Sequence, residues 1–413
     1  MACHQVPMSE SSPAKLSSDG VRATMLSCLF FAGFGALIPH LPTWLDATQG
    51  FSGVEISLVL TIGGLSRIIA GPLTAAWAAG QADKRAPLFL FSAMLTAGFS
   101  ALWFVEGFWP VFGIILLMDV GFWGLLPAVE AALIRLTKRG LPPYGVARGL
   151  ASAAFIVGSS SVGFLVGGYG PWAIWAWLLG VSIALIGAAF VMPREPVLGN
   201  EEGDFIGRLK EGVGLLKNRR FTLLIFAAGI LQATHGYFYG FGVLIWTKDQ
   251  AISQAVAGNL WSVGVAVEVL FLMFLGGWSS RFASETLIVV GAIACIIRWT
   301  AMAFLPPELL LWPLQILHAG TFAAVFLGAM RLVNDMMGDE QTATAQMIYM
   351  ALASAPAQAF TTFISGFLYD ALAADGRAAQ GYLAMTAVSV VGLVLAMMLW
   401  LTRDKTSAAL VAA

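Results

Sequence analysis

The stretches Gln232-Ala-Thr-His-Gly-Tyr-Phe-Tyr-Gly-Phe-Gly242 and Leu260-Trp-Ser-Val-Gly-Val-Ala-Val-Glu268, separated by a short polar turn, indicate the fold. Each belongs to an apolar run that is long enough to cross a bilayer, yet the first contains His235 and the second contains Glu268. A charge at the centre of the hydrocarbon costs roughly 2.5–3.5 kcal/mol, and ionisable residues placed there are functional candidates by default. The sequence therefore predicts a membrane protein that holds polar groups inside a helix bundle.

The composition of the whole chain is that of a membrane protein. Of its 413 residues, 59% are hydrophobic and 11% are charged, and the mean hydropathy is +0.82. A helix needs about 20 apolar residues to span a bilayer, and the sequence contains twelve such runs. These runs lie at 22–45, 55–79, 87–105, 109–134, 146–168, 171–192, 221–246, 256–279, 284–305, 309–332, 343–370 and 380–402. No soluble catalytic domain remains, so we do not expect an enzyme.

The longest polar interval between the runs divides them into six and six. The expected organisation is an N-terminal tail at 1–20, a six-helix bundle at 21–192, a central linker at 193–220, a second six-helix bundle at 221–403 and a C-terminal tail at 404–413. An offset of 201 aligns Gly63 with Gly264 and Arg67 with Glu268, at corresponding places in the two halves. Two parallel repeats predict a cavity on a pseudo-twofold axis, with the substrate near the midplane.

The distribution of basic residues predicts the orientation. If the N-terminus is cytoplasmic and the helices alternate, only Lys248 and Arg377 of the 22 lysines and arginines fall outside, while Arg67 and Arg298 lie within helices. This bias follows the positive-inside rule. The first 20 residues lack the basic segment followed by an apolar one that marks a cleavable signal. We therefore expect a multi-pass protein of the plasma membrane, the inner membrane of a bacterium, with both termini cytoplasmic.

The three cysteines give no evidence for a metal or a disulfide. Cys3, Cys28 and Cys295 form no spacing pattern that is typical of either. We predict no metal site and no cofactor.

Several predicted helices contain ionisable residues that pair or face water, because unpaired they would cost on the order of 20 kcal/mol together. They are Arg67, Asp119, Glu130, His235, Glu268, Arg298 and His318. Each also permits a structural reading: Arg67 as a packing charge, Glu130 and Arg148 as an ion pair across a helix hairpin, and His235 as a hydrogen-bonded packing residue. At the outer end of the first helix, Pro39 and Pro42 predict a break, with His40 at the membrane interface.

The short turn after the second helix contains Asp83 and Arg85. Its charges are consistent with the positive-inside rule alone. In a transporter, an acid at a helix end beside basic residues can also latch two halves together. Asp83 and Arg85 are therefore candidate gating residues.

With twelve predicted helices in two halves and an Asp-Lys-Arg turn after the second helix, the chain resembles the major facilitator superfamily. This resemblance implies the fold just described. Four segments resemble its phenylpropionic acid permease-like branch: Thr234-His-Gly-Tyr-Phe-Tyr-Gly-Phe, Leu260-Trp-Ser-Val-Gly-Val-Ala-Val-Glu, Arg298-Trp, and Gln315-Ile-Leu-His-Ala-Gly-Thr-Phe. The chain is similar, more distantly, to lactose permease-type proton symporters. That group has a Glu and an Arg eighteen residues apart on helices 4 and 5, as Glu130 and Arg148 are. It also has a Glu, an Arg and a His on helices 8, 9 and 10, at the places of Glu268, Arg298 and His318.

The resemblance to lactose permease implies roles for these residues, and two departures limit it. In that group the pair on helices 4 and 5 binds sugar, and the set on helices 8 to 10 joins binding to proton translocation. Here Phe155 replaces the Trp that follows the helix 5 Arg, which puts sugar stacking in doubt. Thr321 replaces a carboxylate one turn after the helix 10 His, which removes an expected proton acceptor.

The resulting hypothesis is a monomeric secondary transporter that couples the transport of a small organic solute to protons. The predicted solute is an aromatic carboxylate. The alternatives are a proton symporter of a sugar or nucleoside and an efflux transporter of the same fold. Proton coupling is assigned to Glu268, Arg298 and His318. Substrate binding is assigned to Arg67, Glu130, Arg148, Phe155, His235, Tyr239, Trp261 and Gln315. A membrane-embedded enzyme is less consistent with ionisable residues spread one per helix, whereas the sequence does not distinguish a transporter from a sensor derived from the same fold.

Overall fold

The computed structural model describes residues 17–194 and 212–403, and the regular structure within these ranges is helical without a strand. The predictions for residues 1–16, 195–211 and 404–413 lie outside the described residues. The described ranges contain twelve helical rods. They are α1 (Ser18–Gln49), α2 (Gly53–Ala79), α3 (Arg85–Ala101), α4 (Phe108–Thr137), α5 (Tyr144–Tyr169), α6 (Trp172–Val191), α7 (Arg219–Ala233 and His235–Lys248), α8 (Gln254–Leu270, extended by Phe271–Leu275 and Gly276–Ser279), α9 (Ser284–Ala303), α10 (Glu308–Ile316, Ala319–Ala324 and Val325–Met336), α11 (Asp339–Tyr349, Met350–Ser354 and Ala355–Ala373) and α12 (Ala378–Gln380 and Gly381–Leu401).

The predicted fold class, an all-α integral membrane protein, is confirmed. Eleven of the rods in the described ranges are long and apolar enough to cross a membrane, and α3 has 17 residues. The predicted limits agree with most helix ends to within a few residues, although α1 extends further at both ends. A bilayer favours this outcome because a helix satisfies all its backbone hydrogen bonds internally.

The rods form two groups of six that follow the order of the chain. In the first group, α1 packs on α4, α5 and α6, while α2 and α3 pack on α4; in the second, α12 packs on α7 and α9. Small residues allow the closest approaches. The α1–α5 contact depends on Gly35 and Gly158, where a Cβ atom would collide with the backbone of the opposite helix.

The two bundles contact each other along the pairs α2–α11 and α5–α8. We call the end with the α1–α2 loop the outer end, and the end nearer the chain termini the terminal end. At the outer end, Asp370 of α11 accepts hydrogen bonds from the amides of Gly53, at 2.6 Å, and Val54, at 2.9 Å. Lys248 also binds Asp46 at 2.6 Å. These contacts join the bundles at the outer end.

Two local features differ from the sequence-based expectations or extend them. The expectation that α1 breaks at Pro39 and Pro42 is wrong, because the helix continues through both to Gln49. His40 is fully buried and its Nε2 atom hydrogen-bonds the carbonyl of Ser159, at 2.9 Å, so it is an α1–α5 packing residue. In contrast, α8, α10 and α11 each contain a π-helical segment, a feature that is frequent at functional sites.

Candidate functional site

A cavity of about 790 Å³ lies between the two bundles. Helices of both bundles line it: α1, α2, α4 and α5 on one side, and α7, α8, α9, α10 and α11 on the other. Tyr144 and Gly145, at the terminal end of α5, belong to its lining. The volume is that of a typical small-molecule site. The predicted central cavity is therefore present.

Aromatic side chains form much of the cavity wall. In the second bundle, Trp261 stacks on Phe238 with ring centroids 4.6 Å apart and an angle of 11° between the planes, and Tyr239 lies 5.6 Å from Trp261. In the first bundle, Phe155 lies edge-on to Phe34 at 5.7 Å. The cavity therefore offers apolar surface to a planar or apolar ligand.

Arg298 of α9 is fully buried and holds the polar centre of the second bundle. Its Nη2 atom donates to the Oε1 atom of Gln315 at 2.7 Å, and its Nη1 atom donates to Nδ1 of His318 at 3.0 Å and to Oγ1 of Thr321 at 3.2 Å. The guanidinium also lies over the ring of Phe238, 4.8 Å from its centroid. Three acceptors and an aromatic face thus fix this arginine in place.

These contacts fix which nitrogen of His318 is protonated. An arginine can only donate, so Nδ1 of His318 must accept. The hydrogen of a neutral His318 is therefore on Nε2, which lies 3.5 Å from Oε2 of Glu268. A second proton on Nδ1 would face the guanidinium donor. The structure thus places His318 between Arg298 and Glu268, the three residues to which the sequence analysis assigns proton coupling.

His235 lies behind the cavity wall. Its side chain is fully buried, and its Nδ1 and Nε2 atoms lie 3.1 Å from the carbonyl oxygen of Gln232 and from Oγ1 of Thr321, respectively. The carbonyl requires Nδ1 to donate, so Nε2 of a neutral His235 accepts from the Thr321 hydroxyl. This arrangement orients Thr321 toward Arg298 and corresponds to the structural reading of His235.

The pair of Glu130 and Arg148 is present across the α4–α5 hairpin. Nε of Arg148 lies 3.8 Å from Oε2 of Glu130, and the Tyr144 hydroxyl donates to Oε1 of Glu130 at 2.5 Å. Arg148 also donates to Ser152 at 3.0 Å and lies over the ring of Phe31. Arg148 lines the cavity at its terminal end, and Glu130 stands behind it.

Arg67 of α2 lines the cavity without an acceptor for its hydrogen bonds. Its guanidinium lies 5.5 Å from the ring centroid of Trp123. Within residues 17–194 and 212–403 it makes neither a hydrogen bond nor an ion pair. Arg67 thus differs from Arg148 and Arg298, which both have acceptors.

The predicted gating residues Asp83 and Arg85 bind each other in the turn between α2 and α3. Nη2 of Arg85 lies 2.6 Å from Oδ2 of Asp83, and Nε donates to the same carboxylate. These hydrogen bonds lower the pKa of Asp83 to about 2. The pair lies at the terminal end, and its role in gating stays a prediction.

Four residues of the site had no role assigned to them from the sequence. Asp119, Trp123 and Phe238 line the cavity, and Thr321 binds Arg298. Asp119 gave a signal in the sequence because it lies in an apolar run. Trp123 and Phe238 could not be distinguished from packing aromatics by sequence. The absence of a carboxylate at Thr321 predicted a missing proton acceptor, but not the hydroxyl's contact with Arg298 and His235.

The MFS_1 like family, described by a family model, matches residues 23–376 of this sequence. The chain belongs to this family. It is a multi-pass membrane transporter of the major facilitator fold that acts on a small molecule, and the relatives and structural neighbours are transporters rather than enzymes. The predicted superfamily is therefore confirmed.

Among its relatives is the "Probable 3-phenylpropionic acid transporter" of Escherichia coli (strain K12), which is 29% identical over 83% of this chain and 89% of that protein. The "Uncharacterized transporter YwbF" of Bacillus subtilis (strain 168) is 22% identical over 82% of this chain and 84% of its own length. The predicted resemblance to the phenylpropionic acid permease-like branch is confirmed by the first relative.

Solved structures show the same fold. The crystal structure of the nucleoside transporter NupG matches with a TM-score of 0.83 at 18% identity, covering 94% of this chain and 100% of that one. A bacterial homologue of the human lysosomal transporter Spinster matches with a TM-score of 0.71 at 14% identity, covering 92% and 96% of the two chains. At these identities the likeness concerns the fold alone.

Proposed function

We propose that this protein is a proton-coupled symporter of an aromatic carboxylate, located in a bacterial inner membrane with both termini in the cytoplasm. The positive-inside bias of the sequence supports this orientation. In that orientation the outer end is periplasmic, and the contacts of Asp370 and Lys248 close it. The described conformation is then the inward-open one, with the cavity reached from the cytoplasm.

The observation that carries the proposal is the lack of an acceptor at Arg67. Of the arginines that line the cavity within the described ranges, Arg298 has three acceptors and Arg148 has Glu130 and Ser152. A half-buried guanidinium without an acceptor is costly, and a carboxylate relieves that cost with two parallel hydrogen bonds. The substrate's carboxylate therefore binds Arg67.

The aromatic wall supports the other half of the substrate. Trp261 and Tyr239 of the second bundle offer ring surfaces to an apolar group whose carboxylate reaches Arg67 in the first. A substrate that touches both bundles stabilises the states in which the bundles move around it. The name of the Escherichia coli relative, a 3-phenylpropionic acid transporter, agrees with this chemistry.

Glu268 is the proton-carrying residue of the second bundle in this proposal. The hydrogen bond from Arg298 opposes protonation of His318 at Nδ1, because two donors would then face each other. The carboxylate of Glu268 accepts from Nε2 of His318 when it is ionised and is released from that contact when it takes a proton. His318 and Arg298 thus position Glu268 and do not themselves carry the proton.

The test is uptake of radiolabelled 3-phenylpropionate into proteoliposomes with and without an imposed pH gradient. A gradient that is acidic outside should drive accumulation. Arg67→Gln should weaken binding about 10- to 100-fold, the magnitude of a charged hydrogen-bonded contact, and 3-phenylpropionamide, which lacks the charge, should not compete. Competition by the amide at the level of the acid would overturn the carboxylate assignment.

Glu268→Gln tests the coupling. This variant should exchange labelled for unlabelled substrate across the membrane but should accumulate it in a pH gradient much less than the wild type. Glu106→Gln, an exposed acid before α4, is the matched control and should behave like the wild type. Accumulation by Glu268→Gln at the wild-type level, or uptake of sugars or nucleosides instead of aromatic acids, contradicts the proposal.

A further inference from the structure

Asp119 of α4 is a cavity-lining carboxyl group that the mechanism above does not use. Its Oδ2 atom is fully buried and has no hydrogen-bond partner. The backbone of α2 covers it at Gly63, where a Cβ atom would stand 3.0 Å from that oxygen. The residue is partly exposed to the cavity, but negative charge on Oδ2 would have neither water nor a counter-ion beside it, which is unfavourable. As placed here, Asp119 is the neutral acid.

The internal repeat gives Asp119 a counterpart in the second bundle. Gly264 in α8 corresponds to Gly63 in α2, and a Cβ atom at Gly264 would face the side chain of His318 in α10, at 3.7 Å. One turn further, Glu268 of α8 corresponds to Arg67 of α2. Each bundle thus has one acid and one base at equivalent places. In the first bundle the base is on α2 and the acid is on α4, whereas in the second bundle the acid is on α8 and the base is on α10.

The two pairs differ in one respect. In the second bundle, Glu268 and His318 lie 3.5 Å apart. In the first bundle, Arg67 lies over Trp123, one turn beyond Asp119 on the neighbouring helix, and does not reach the carboxyl group. Long side chains on a helix lean toward its N-terminus, so a rotamer change brings the Arg67 guanidinium toward Gly63 and Asp119.

The surroundings of Asp119 leave Arg67 as its nearest available charge. From α1, α3 and α6, apolar side chains and Ser182 line the small cavity behind it. Across the central cavity stand Tyr239, Glu268, Arg298 and His318, and Arg148 lies at the terminal end of α5. Arg148 and Arg298 have acceptors of their own, as described above.

We propose that Asp119 is a second proton-carrying residue, which alternates with the substrate's carboxylate on Arg67. This inference rests on the proposed function. When the substrate leaves, the O–H bond of Asp119 breaks, its proton passes to water in the cavity, and the carboxylate pairs with Arg67. When a substrate anion takes Arg67, Asp119 recovers a proton from water on the other side of the membrane.

The proposed exchange between Asp119 and the substrate determines the net charge that is moved in each transport cycle. One proton on Glu268 and one on Asp119 accompany each substrate anion, so each cycle moves a net positive charge inward. Accumulation then responds to the membrane potential, by roughly fiftyfold for each net charge and 100 mV. With Glu268 as the sole proton carrier, transport would be electroneutral.

The experiment measures steady-state accumulation of 3-phenylpropionate in proteoliposomes with a potassium diffusion potential, negative inside. The wild type and the Glu106→Gln control should gain about fiftyfold for 100 mV. Asp119→Asn should still accumulate substrate in a pH gradient and should lose the response to the potential. Electroneutral accumulation by the wild type, or an unchanged potential response in Asp119→Asn, overturns the inference and leaves the proposed function intact.

A second measurement compares the protein with and without 3-phenylpropionate. At neutral pH, binding of 3-phenylpropionate should create the carbonyl stretch of a protonated carboxylic acid in the infrared spectra of the wild type and of Glu268→Gln, and should not create it in Asp119→Asn. Failure of 3-phenylpropionate to bind counts against the proposed function, whereas binding without this band counts against the inference alone. An identical band in the wild type and Asp119→Asn overturns the inference.

Discussion

At the scale of single residues, Gly63 and Gly64 are adjacent in α2 but have different surroundings. A Cβ atom at Gly63 would come within 3.0 Å of Oδ2 of Asp119, whereas one at Gly64 would make an ordinary contact of 3.8 Å with Ala359. The first glycine allows α2 to cover the buried carboxyl group. The second has room for a methyl group in the described state.

We therefore expect Gly63→Ala to displace Asp119 and to reduce proton-driven uptake at least severalfold, while Gly64→Ala retains most of it. Overpacking of a buried contact costs about 1–3 kcal/mol, so the first variant should also unfold at a lower temperature in detergent. Uptake rates in proteoliposomes and thermal unfolding curves check both statements. Equal effects of the two alanines would show that the contact with Asp119 has no special role.

The role of Thr321 depends on the residues that it contacts. From the sequence it was a missing acid in helix 10. In the structure its hydroxyl accepts from Arg298 and contacts His235. On this side of Arg298 the network therefore contains the neutral groups Thr321 and His235, and Glu268 is the carboxylate near Arg298 and His318 to which we assign the proton. That assignment was made from sequence, but the order of the hydrogen bonds required coordinates.

At the scale of elements, the outer end is closed by a carboxylate of one bundle at the N-terminus of a helix in the other. Asp370 of α11 accepts from the amides of Gly53 and Val54 at the start of α2. Free amides and the helix dipole together favour an anion at this place. The contact is available only while the outer ends of α2 and α11 are close, so it stabilises the state in which the outer end is closed.

Asp370→Asn should shift the population toward the outward-open state, because a neutral amide loses about 0.3–1 kcal/mol of interaction with the helix N-terminus. The measurement is labelling of Leu60→Cys, a cavity residue of α2, with an impermeant maleimide applied from outside, in a background without Cys3, Cys28 and Cys295. Labelling should be two- to fivefold faster with Asp370→Asn. Asp375→Asn, whose acid pairs with Arg377 in the same loop, is the control. Equal rates in both variants would show that Asp370 does not hold the outer end closed.

At the scale of the whole molecule, contacts between the bundles close the outer end, whereas the cavity extends to Tyr144 and Gly145 at the terminal end. The bundles meet along α2–α11 and α5–α8, and the cavity lies between them near the middle of the helices. A rocking movement of one bundle against the other exposes the same cavity to the opposite side. The residues that bind the substrate then need not change, while the access to them does.

The orientation of the molecule is tested with two exposed positions. Ala82→Cys, in the α2–α3 turn, and Glu106→Cys, before α4, lie at opposite ends of the bundle. With the termini in the cytoplasm, an impermeant maleimide should label Glu106→Cys in intact cells or spheroplasts and Ala82→Cys only after permeabilisation. Labelling of Ala82→Cys alone in intact spheroplasts would reverse the orientation and make the described state outward-open.

The sequence by itself determined the membrane class, the number of helices and their grouping, because long apolar runs, a polar linker and the distribution of lysine and arginine report directly on partition into a bilayer. It also identified most of the ionisable residues that line the cavity, since charges in apolar runs are costly and therefore conspicuous. The tertiary structure alone decided which of them have partners. Arg298 has three acceptors, Arg67 has none, His235 lies behind the cavity wall, and Gly63 covers Asp119. Contacts between residues far apart in the chain depend on how the helices pack and have no signature in the local sequence.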